Sequence, residues 1–328
     1  MSFKITSTGH YVPSLIVTNE DLTEFLDTSD EWIKKRTGIS ERHISTGENT
    51  SDLASAAAKK ILEKRGISAS EIDFIIVATM TPDASSPSTA CLVQSKIGAD
   101  QAFCMDINAA CSGFVFALST AAHYMKSGLY KKGLVLGADT MSKVINWEDR
   151  STAVLFGDGA GGLLLEHEDE DEEDCILAED LHSDGARYLA LTANQKHVEN
   201  PFHAKEENQP SYHLEMDGRE IFDFVIRSVP KTIEDVIKKA NLEKNDISWV
   251  IAHQANIRLL EAVSKKVKIP FSRFASNITT IGNTSAGSIP ILLDQMIVSG
   301  EIKLGSKEKI LLTGFGGGLT WGSIIFTL

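Results

Sequence analysis

The chain has 328 residues, 42% hydrophobic and 23% charged, enough apolar side chain for a large core and too much for intrinsic disorder. A formal charge of −13 argues against nonspecific binding to nucleic acid or an anionic membrane surface, while still allowing a local basic patch for an acidic partner. No apolar run approaches the ~18 residues that span a bilayer, the start carries no apolar signal stretch, and the four cysteines lack metal spacing and disulfide density, so the expectation is a cytoplasmic protein with no metal site.

Phe3 to Ser7 reads as a strand, and Asp21 to Phe25 and Thr28 to Lys35 as helices, with Asp27, Thr28, Ser29 and Asp30 supplying cap chemistry. A helix from Thr50 carries Leu53, Ala57, Ile61 and Leu62 and stops at Gly66. Phe74 to Thr79 is a continuous apolar run suited to a buried parallel strand. Next, Ala102 to Ile107 reads as a short strand that gives way to a helix with Phe114, Leu118, Ala121, Ala122 and Met125 on one face, ending at Gly128. Cys111 stands at that junction. Unsatisfied N–H groups at the helix N-terminus would favour its thiolate, so a lowered pKa is expected. A lone cysteine is more often a small core residue, so it needs partners before it reads as a nucleophile.

Leu134 to Ala138 follows as a strand, then Thr152 to Phe156 and Leu163 to Glu166 read as a strand pair about a glycine turn. Gly157 to Gly162 fits G-x-G-x-x-G, but the dinucleotide fingerprint requires a helix next and Leu163-Leu-Leu-Glu reads as a strand, so a dinucleotide-binding loop here is rejected. Glu166 to Asp174 is almost wholly acidic and reads as an exposed loop.

The second half repeats the first. Ile233 to Ala240 is helix-like, and Asn245-Asp-Ile-Ser-Trp-Val-Ile-Ala-His then mirrors Ser70-Glu-Ile-Asp-Phe-Ile-Ile-Val-Ala at an offset of 175, which puts His253 at a strand's C-terminal end. Lys126-Ser-Gly128 matches Val298-Ser-Gly300 at an offset of 172, and that offset carries Cys111 onto Asn283. The reading is a duplicated α/β unit, with residues 1–166 carrying Cys111 and residues 167–328 carrying His253 and Asn283. Strand C-terminal ends are where open α/β sheets build their sites.

A neutral His253 Nε2–H and an Asn283 amide N–H can donate to one oxygen, which makes Cys111, His253 and Asn283 a candidate set for thioester chemistry. Gly314-Phe-Gly-Gly-Gly-Leu-Thr-Trp reads as a turn after a strand from Ile310 to Leu312, with backbone N–H groups able to serve as further oxyanion donors. The order Cys, His, Asn also occurs in papain-like proteases, but no Cys-Gly-Ser-Cys-Trp surrounds Cys111 and the repeated α/β pattern does not suit that fold.

With these residues in hand, the chain closely resembles the β-ketoacyl-acyl-carrier-protein synthase III family of thiolase-fold condensing enzymes, which initiates type II fatty-acid synthesis. The resemblance spans nearly the whole length and rests on Asp27-Thr-Ser-Asp-Glu-Trp-Ile with Arg36-Thr-Gly-Ile, Ala109-Ala-Cys-Ser-Gly-Phe, Asp149-Arg with Phe156-Gly-Asp-Gly-Ala-Gly, His253-Gln-Ala-Asn-Ile-Arg, Gly282-Asn-Thr-Ser-Ala, and Gly314-Phe-Gly-Gly-Gly-Leu-Thr-Trp-Gly. It implies a five-layered α-β-α-β-α thiolase-like fold of two similar halves, a homodimer, and a decarboxylating condensation of an acyl-coenzyme A primer with malonyl-acyl carrier protein, without a cofactor.

By the same resemblance Cys111 would accept the acyl group and His253 with Asn283 would activate the malonyl thioester. Gly317 would line the oxyanion site, Phe315 the place where carbon dioxide leaves, and Trp32 and Arg150 would sandwich the coenzyme A adenine. Arg258, Lys265 and Lys266 match the family's basic carrier-protein surface, while Asp223 stands where the family often has Lys, shifting weight to Arg258 and Arg219. Ser86 stands where some relatives place an aromatic near the primer pocket. The alternative is a coenzyme A-only condensing enzyme of polyketide or alkylquinolone type; a cysteine hydrolase and a noncatalytic coenzyme A-binding protein are further rivals.

Overall fold

The computed structural model describes residues 2–167, 175–195, 201–202 and 211–328. From residue 168 on, the acidic loop expected at Glu166 to Asp174 lies outside the described residues.

The first half comprises β1 (Phe3–Tyr11), β2 (Leu15–Thr18), α1 (Asn19–Thr23), α2 (Asp30–Thr37), β3 (Glu41–Ile44), α3 (Thr50–Arg65), β4 (Phe74–Ala78), α4 (Thr89–Ile97), β5 (Phe103–Ile107), α5 (Gly113–Lys126), β6 (Lys132–Asp139), α6 (Arg150–Ala153) and β7 (Gly159–His167). Their main sheet runs β1-β7-β6-β4-β5. Central β4 is buried along its whole length and pairs in parallel with β5 and β6, as its unbroken apolar run requires. Helix α3 ends at Gly66 in the left-handed region, φ 72°, where a Cβ would be strained.

The second half comprises β8 (Ile176–Ser183), β9 (Leu191–Thr192), β10 (Glu215–Met216), α7 (Gly218–Lys239), β11 (Ile247–Ala252), α8 (Ile257–Val267), α9 (Ile278–Ile281), α10 (Ser288–Ser299), β12 (Lys309–Gly316) and β13 (Thr320–Thr327), with a main sheet ordered β11-β12-β13-β8. Helix α7 begins fifteen residues before the expected Ile233, because Asp217 caps it through the amides of Arg219 and Glu220 and the chain stays helical through Pro230.

Side-chain alternation on the strands fixes the layers. On β4, Ile75 and Val77 face an outer cluster with Leu53, Ala57 and Ile61 of α3, whereas Phe74 and Ile76 face α5 and α10. On β12, Ile310 and Leu312 face the same central helices, and Leu311 faces Val229 and Ile233 of α7 and Val263 of α8. The order is therefore helix, sheet, central helix pair, sheet, helix, which is the expected five-layered α-β-α-β-α arrangement.

Internal symmetry is tighter than the sequence suggested. The 3-10 turns Ala69–Glu71 and Lys244–Asp246 and the turns Ala110–Ser112 and Ser285–Gly287 hold the 175 offset, strands β4 and β11 fall within two residues of it, and the two latter turns begin with matching left-handed residues, Ala110 at φ 46° and Ser285 at φ 50°. The glycines past the helix ends, Gly128 and Gly300, sit at 172, because α10 is two residues shorter than α5 and Gly300 caps it directly, whereas Ser127 intervenes before Gly128. Cys111 therefore corresponds to Ala286, and Asn283 to Asn108; the 172 match between Cys111 and Asn283 came from carrying a helix-end offset back across a helix of different length.

A second correction concerns residues 152–162. Arg150–Ala153 is a short helix, and most of the glycine run lies inside β7. A Cβ on Gly161 would come within 2.6 Å of the Ile291 amide nitrogen, so these glycines let α10 lie directly against β7.

Candidate active site

Three segments converge where the two halves meet. Cys111 lies in the Ala110–Ser112 turn between β5 and α5, His253 follows the end of β11, and Asn283 precedes the Ser285–Gly287 turn that leads into α10. All three side chains are buried, at 5%, 2% and 5% exposure. Each reaches Ser285: its amide donates to Asn283 Oδ1 at 2.9 Å, its backbone lies on the His253 ring, and its hydroxyl lies beside the Cys111 thiol. That hydroxyl also faces the Asp139 carboxylate but makes no well-formed hydrogen bond to either neighbour. Asn283 itself is clamped by its backbone, donating to Leu155 O and accepting from the Gly157 amide, both at 3.0 Å. Buried Arg42 holds that loop through Val154 O at 2.9 Å.

Electrostatics differ from the sequence expectation. Burial pushes the Cys111 thiol up to about 12; the Ser285 hydroxyl and the Cys111 amide pull it down, and Asp139 pushes it up. Desolvation thus outweighs the helix N-terminus, and the resting group is a thiol rather than the expected thiolate. Burial pushes His253 down to about 3, only partly opposed by the Ser285 backbone, so its ring is neutral at physiological pH. Its Nδ1 lies 2.8 Å from Ser288 Oγ, and its ring meets Phe315 edge to face at 5.1 Å.

The glycine turn packs onto the nucleophile. A Cβ on Gly316 would fall 2.7 Å from the Cys111 nitrogen, and one on Gly314 would fall 2.8 Å from Ser112 Cα. Strands β12 and β13 run further than expected, leaving only residues 317–319 as the turn. Thr320 Oγ1 accepts from Ser112 Oγ at 2.9 Å and lies 2.9 Å from Ala109 O, tying that turn to the Cys111 turn. Gly317 borders a cavity of about 540 Å³ that also reaches Asn108, Ala110 and Leu191. A neighbouring cavity of about 470 Å³ is lined by Ala84, Ser85, Ser88 and Met105; Ser86 is exposed on the same loop and does not line it.

Trp32, half-buried on α2, is flanked by Arg36 at 4.5 Å and Arg150 at 5.1 Å from its ring centre. Arg150 also donates to Asp27 O at 2.6 Å. A ring stacked between Trp32 and Arg150 needs about 7 Å, twice a van der Waals contact, so Arg150 must swing out to admit one. A third cavity, about 700 Å³, gathers Arg36, Arg219 and Arg258 with Asp223, Phe222 and Asn256. Lys265 and Lys266 are exposed two turns further along α8 and lie outside that cavity.

Ser285, Ser288, Thr320 and Asp139 were not singled out from the sequence. The one signal for the first two was their closeness to Asn283 in Gly282-Asn-Thr-Ser-Ala-Gly-Ser.

Comparison with known proteins bears on the whole chain. Residues 105–185 match the family model described as 3-oxoacyl-[acyl-carrier-protein] synthase III, and residues 237–328 match its C-terminal model. The chain is 54% identical over 322 residues, covering 98% of each sequence, to a protein named β-ketoacyl-[acyl-carrier-protein] synthase III from Streptococcus mutans. The structure of 3-oxoacyl-[acyl-carrier-protein] synthase III from Aquifex aeolicus superposes with a TM-score of 0.92 at 41% identity, covering 100% of both chains. That of the corresponding Thermus thermophilus protein gives 0.90 at 39%, covering 99% of each.

Proposed function

The chain belongs to the 3-oxoacyl-[acyl-carrier-protein] synthase III family, and from that premise we propose how its own residues divide the reaction. It is a condensing acyltransferase that joins an acyl primer to malonyl-acyl carrier protein and forms 3-oxoacyl-acyl carrier protein. In the first step Cys111 Sγ bonds to the carbonyl carbon of an acyl-coenzyme A; the amides of Cys111 and Gly317 hold the oxyanion, and coenzyme A departs with the thiol proton. In the second step the malonyl thioester loses carbon dioxide, and its enolate oxygen is held by His253 Nε2–H and Asn283 Nδ2–H. The enolate carbon attacks acyl-Cys111, and the released sulfur takes a proton.

Phe315, against the His253 ring, gives the departing carboxylate an apolar wall that favours neutral carbon dioxide over the anion. Trp32 and Arg150 take the adenine once Arg150 moves. Arg258, with Arg219 and Arg36 in one cavity, meets the acidic carrier protein, and Lys265 and Lys266 extend that surface. We place the protein as a homodimer; Ser86 is exposed and does not line the cavity of about 470 Å³, so we assign it no primer contact within one copy. Supporting a dimer, β5 is an outer strand of the first sheet with no further strand paired to it among the described residues, and its five residues are all half-buried, a strand open to a second copy. We assign residues 1–166 and 167–328 to the two halves, and place the protein in the cytoplasm beside a soluble carrier protein; among the described residues no helix is long and apolar enough to cross a membrane.

The observation that carries the division of labour is the convergence of Cys111, His253 and Asn283 on Ser285. Its test is intact-protein mass spectrometry after mixing with acyl-coenzyme A primers and then with malonyl-acyl carrier protein or malonyl-coenzyme A. Acyl mass on Cys111, removed only by the carrier-bound malonyl group, is the expected result. Removal by malonyl-coenzyme A alone points to the polyketide-type alternative, and an unlabelled Cys111 sinks the proposal.

A further inference from the structure

While it is neutral, His253 can donate from only one of its two ring nitrogens. Donation from Nε2 requires the neutral ring to carry its proton there and not on Nδ1, and the two tautomers of a free imidazole are close in energy. Something in the chain must choose.

We propose that Ser288 is the positioning residue that makes this choice: its hydroxyl donates to His253 Nδ1 and so keeps the ring proton on Nε2. The inference rests on the functional reading above only for its consequence in catalysis. Oγ of Ser288 lies 2.8 Å from Nδ1, and the Gln254 amide donates to the same Oγ at 3.4 Å. Ser288 is 1% exposed, His253 2% and Gln254 0%, so each polar hydrogen must find its partner within the protein.

Only one arrangement satisfies them all. With Oγ accepting from the Gln254 amide, its own hydrogen goes to Nδ1, and Nε2 keeps a hydrogen for the substrate. If Nδ1 were the donor instead, Oγ would face two N–H groups while its own hydrogen pointed at no acceptor among the described residues. Leaving a buried donor unpaired costs on the order of 1–3 kcal/mol. Nε2 would then present a lone pair to the enolate oxygen, which repels it.

The fold places Ser288 for this task. It is the first residue of α10, whose preceding turn begins at Ser285, so Asn283 and the group that orients His253 sit on one short segment. A Ser285 backbone group also lies against the ring and raises its pKa, as an acceptor does, so the ring proton keeps an acceptor at Ser285 when the Ser288 hydroxyl is removed.

The test is ¹⁵N-histidine NMR on the full-length protein, with the His253 signals assigned by their loss in His253→Gln. Wild type should show a protonated Nε2 and an unprotonated Nδ1. Ser288→Ala should exchange the two, lower condensation on the order of a hundredfold through the lost oxyanion donor, and leave Cys111 acylation unchanged. Ser288→Thr, which keeps the hydroxyl, should restore both readouts. A wild-type ring protonated on Nδ1 overturns the proposal without any variant, as does Ser288→Ala with an unchanged tautomer. A protein that never consumes malonyl-acyl carrier protein would overturn the functional reading instead, leaving the tautomer measurement to stand by itself.

Discussion

The Ser285 amide donates to Asn283 Oδ1 at 2.9 Å, and this one bond orients the carboxamide, because holding the oxygen leaves Nδ2 as the end free to donate to a substrate. Two substitutions separate the parts of that arrangement. Asn283→Ala removes the donor and also orphans a buried amide, so it should slow malonyl decarboxylation on the order of a hundredfold and cost about 1–3 kcal/mol of stability. Asn283→Asp keeps an acceptor for Ser285 while replacing Nδ2 with oxygen, but it puts a carboxyl where burial disfavours its charge, so stability should fall as well and decarboxylation should fall at least as far. Acylation of Cys111, followed by mass, should survive in both. Loss of acylation in Asn283→Asp would contradict the assignment of Asn283 to the malonyl step.

Burial lowers His253 to about 3 from an ordinary value near 6.5, so the fold holds the ring neutral where an unfolded chain would protonate it. The stability this contributes is fully present above pH 6.5 and is lost as pH falls through the folded value, with an upper bound of about 5 kcal/mol from linkage. Denaturant titrations of wild type and His253→Gln across pH 7 to 4 isolate it, since the carboxylates titrate in both. The wild-type advantage should shrink steadily below pH 6.5. A constant difference would mean that the ring is not desolvated.

What was legible in the sequence was whatever neighbouring residues decide locally. The apolar run of β4 and the Gly66 stop of α3 fall where expected, because a doubly covered strand and a left-handed cap each leave a local mark. The glycines of 157–162 were misread as a turn, since their cause is α10 lying against β7, more than a hundred residues away. No local pattern in the sequence marks Arg42 or Asp139 as buried. Only the closed fold shows Arg42 bonding Val17, Asn19 and Val154, and Asp139 accepting from Thr81 and Ala286. Cys111 failed for a reason of magnitude: a helix terminus is worth at most about 2 kcal/mol, whereas full burial shifts a pKa by up to about 3–5 units.

Gly316 tests the packing around the nucleophile. Alanine there would put Cβ 2.7 Å from the Cys111 nitrogen and 3.1 Å from its Cβ, against backbone that cannot rotate away. Gly316→Ala should cost about 1–3 kcal/mol by overpacking and slow acylation of Cys111 more than tenfold by displacing its amide. Comparing acylation rate with thermal unfolding separates the effects: a destabilised variant that acylates at the wild-type rate would show that the turn supports the fold but not the nucleophile.

Asp223 shares its cavity with Arg36, Arg219 and Arg258, a lone carboxylate among three guanidinium groups facing solvent. If this mouth receives an acidic carrier protein, Asp223 opposes the approach that the arginines favour, and its effect should appear in binding more than in turnover. Asp223→Lys should lower KM for malonyl-acyl carrier protein several-fold and Arg258→Glu should raise it on the order of tenfold, both with little change in kcat. Because the Debye length is about 8 Å at 0.15 M salt and about 3 Å at 1 M, the two variants should converge on wild type as salt rises. Acyl-coenzyme A, a smaller ligand that needs fewer of these surface contacts, should respond less to Arg258→Glu. Equal losses with both substrates that persist at high salt would assign Arg258 to the structure of α8 and not to docking.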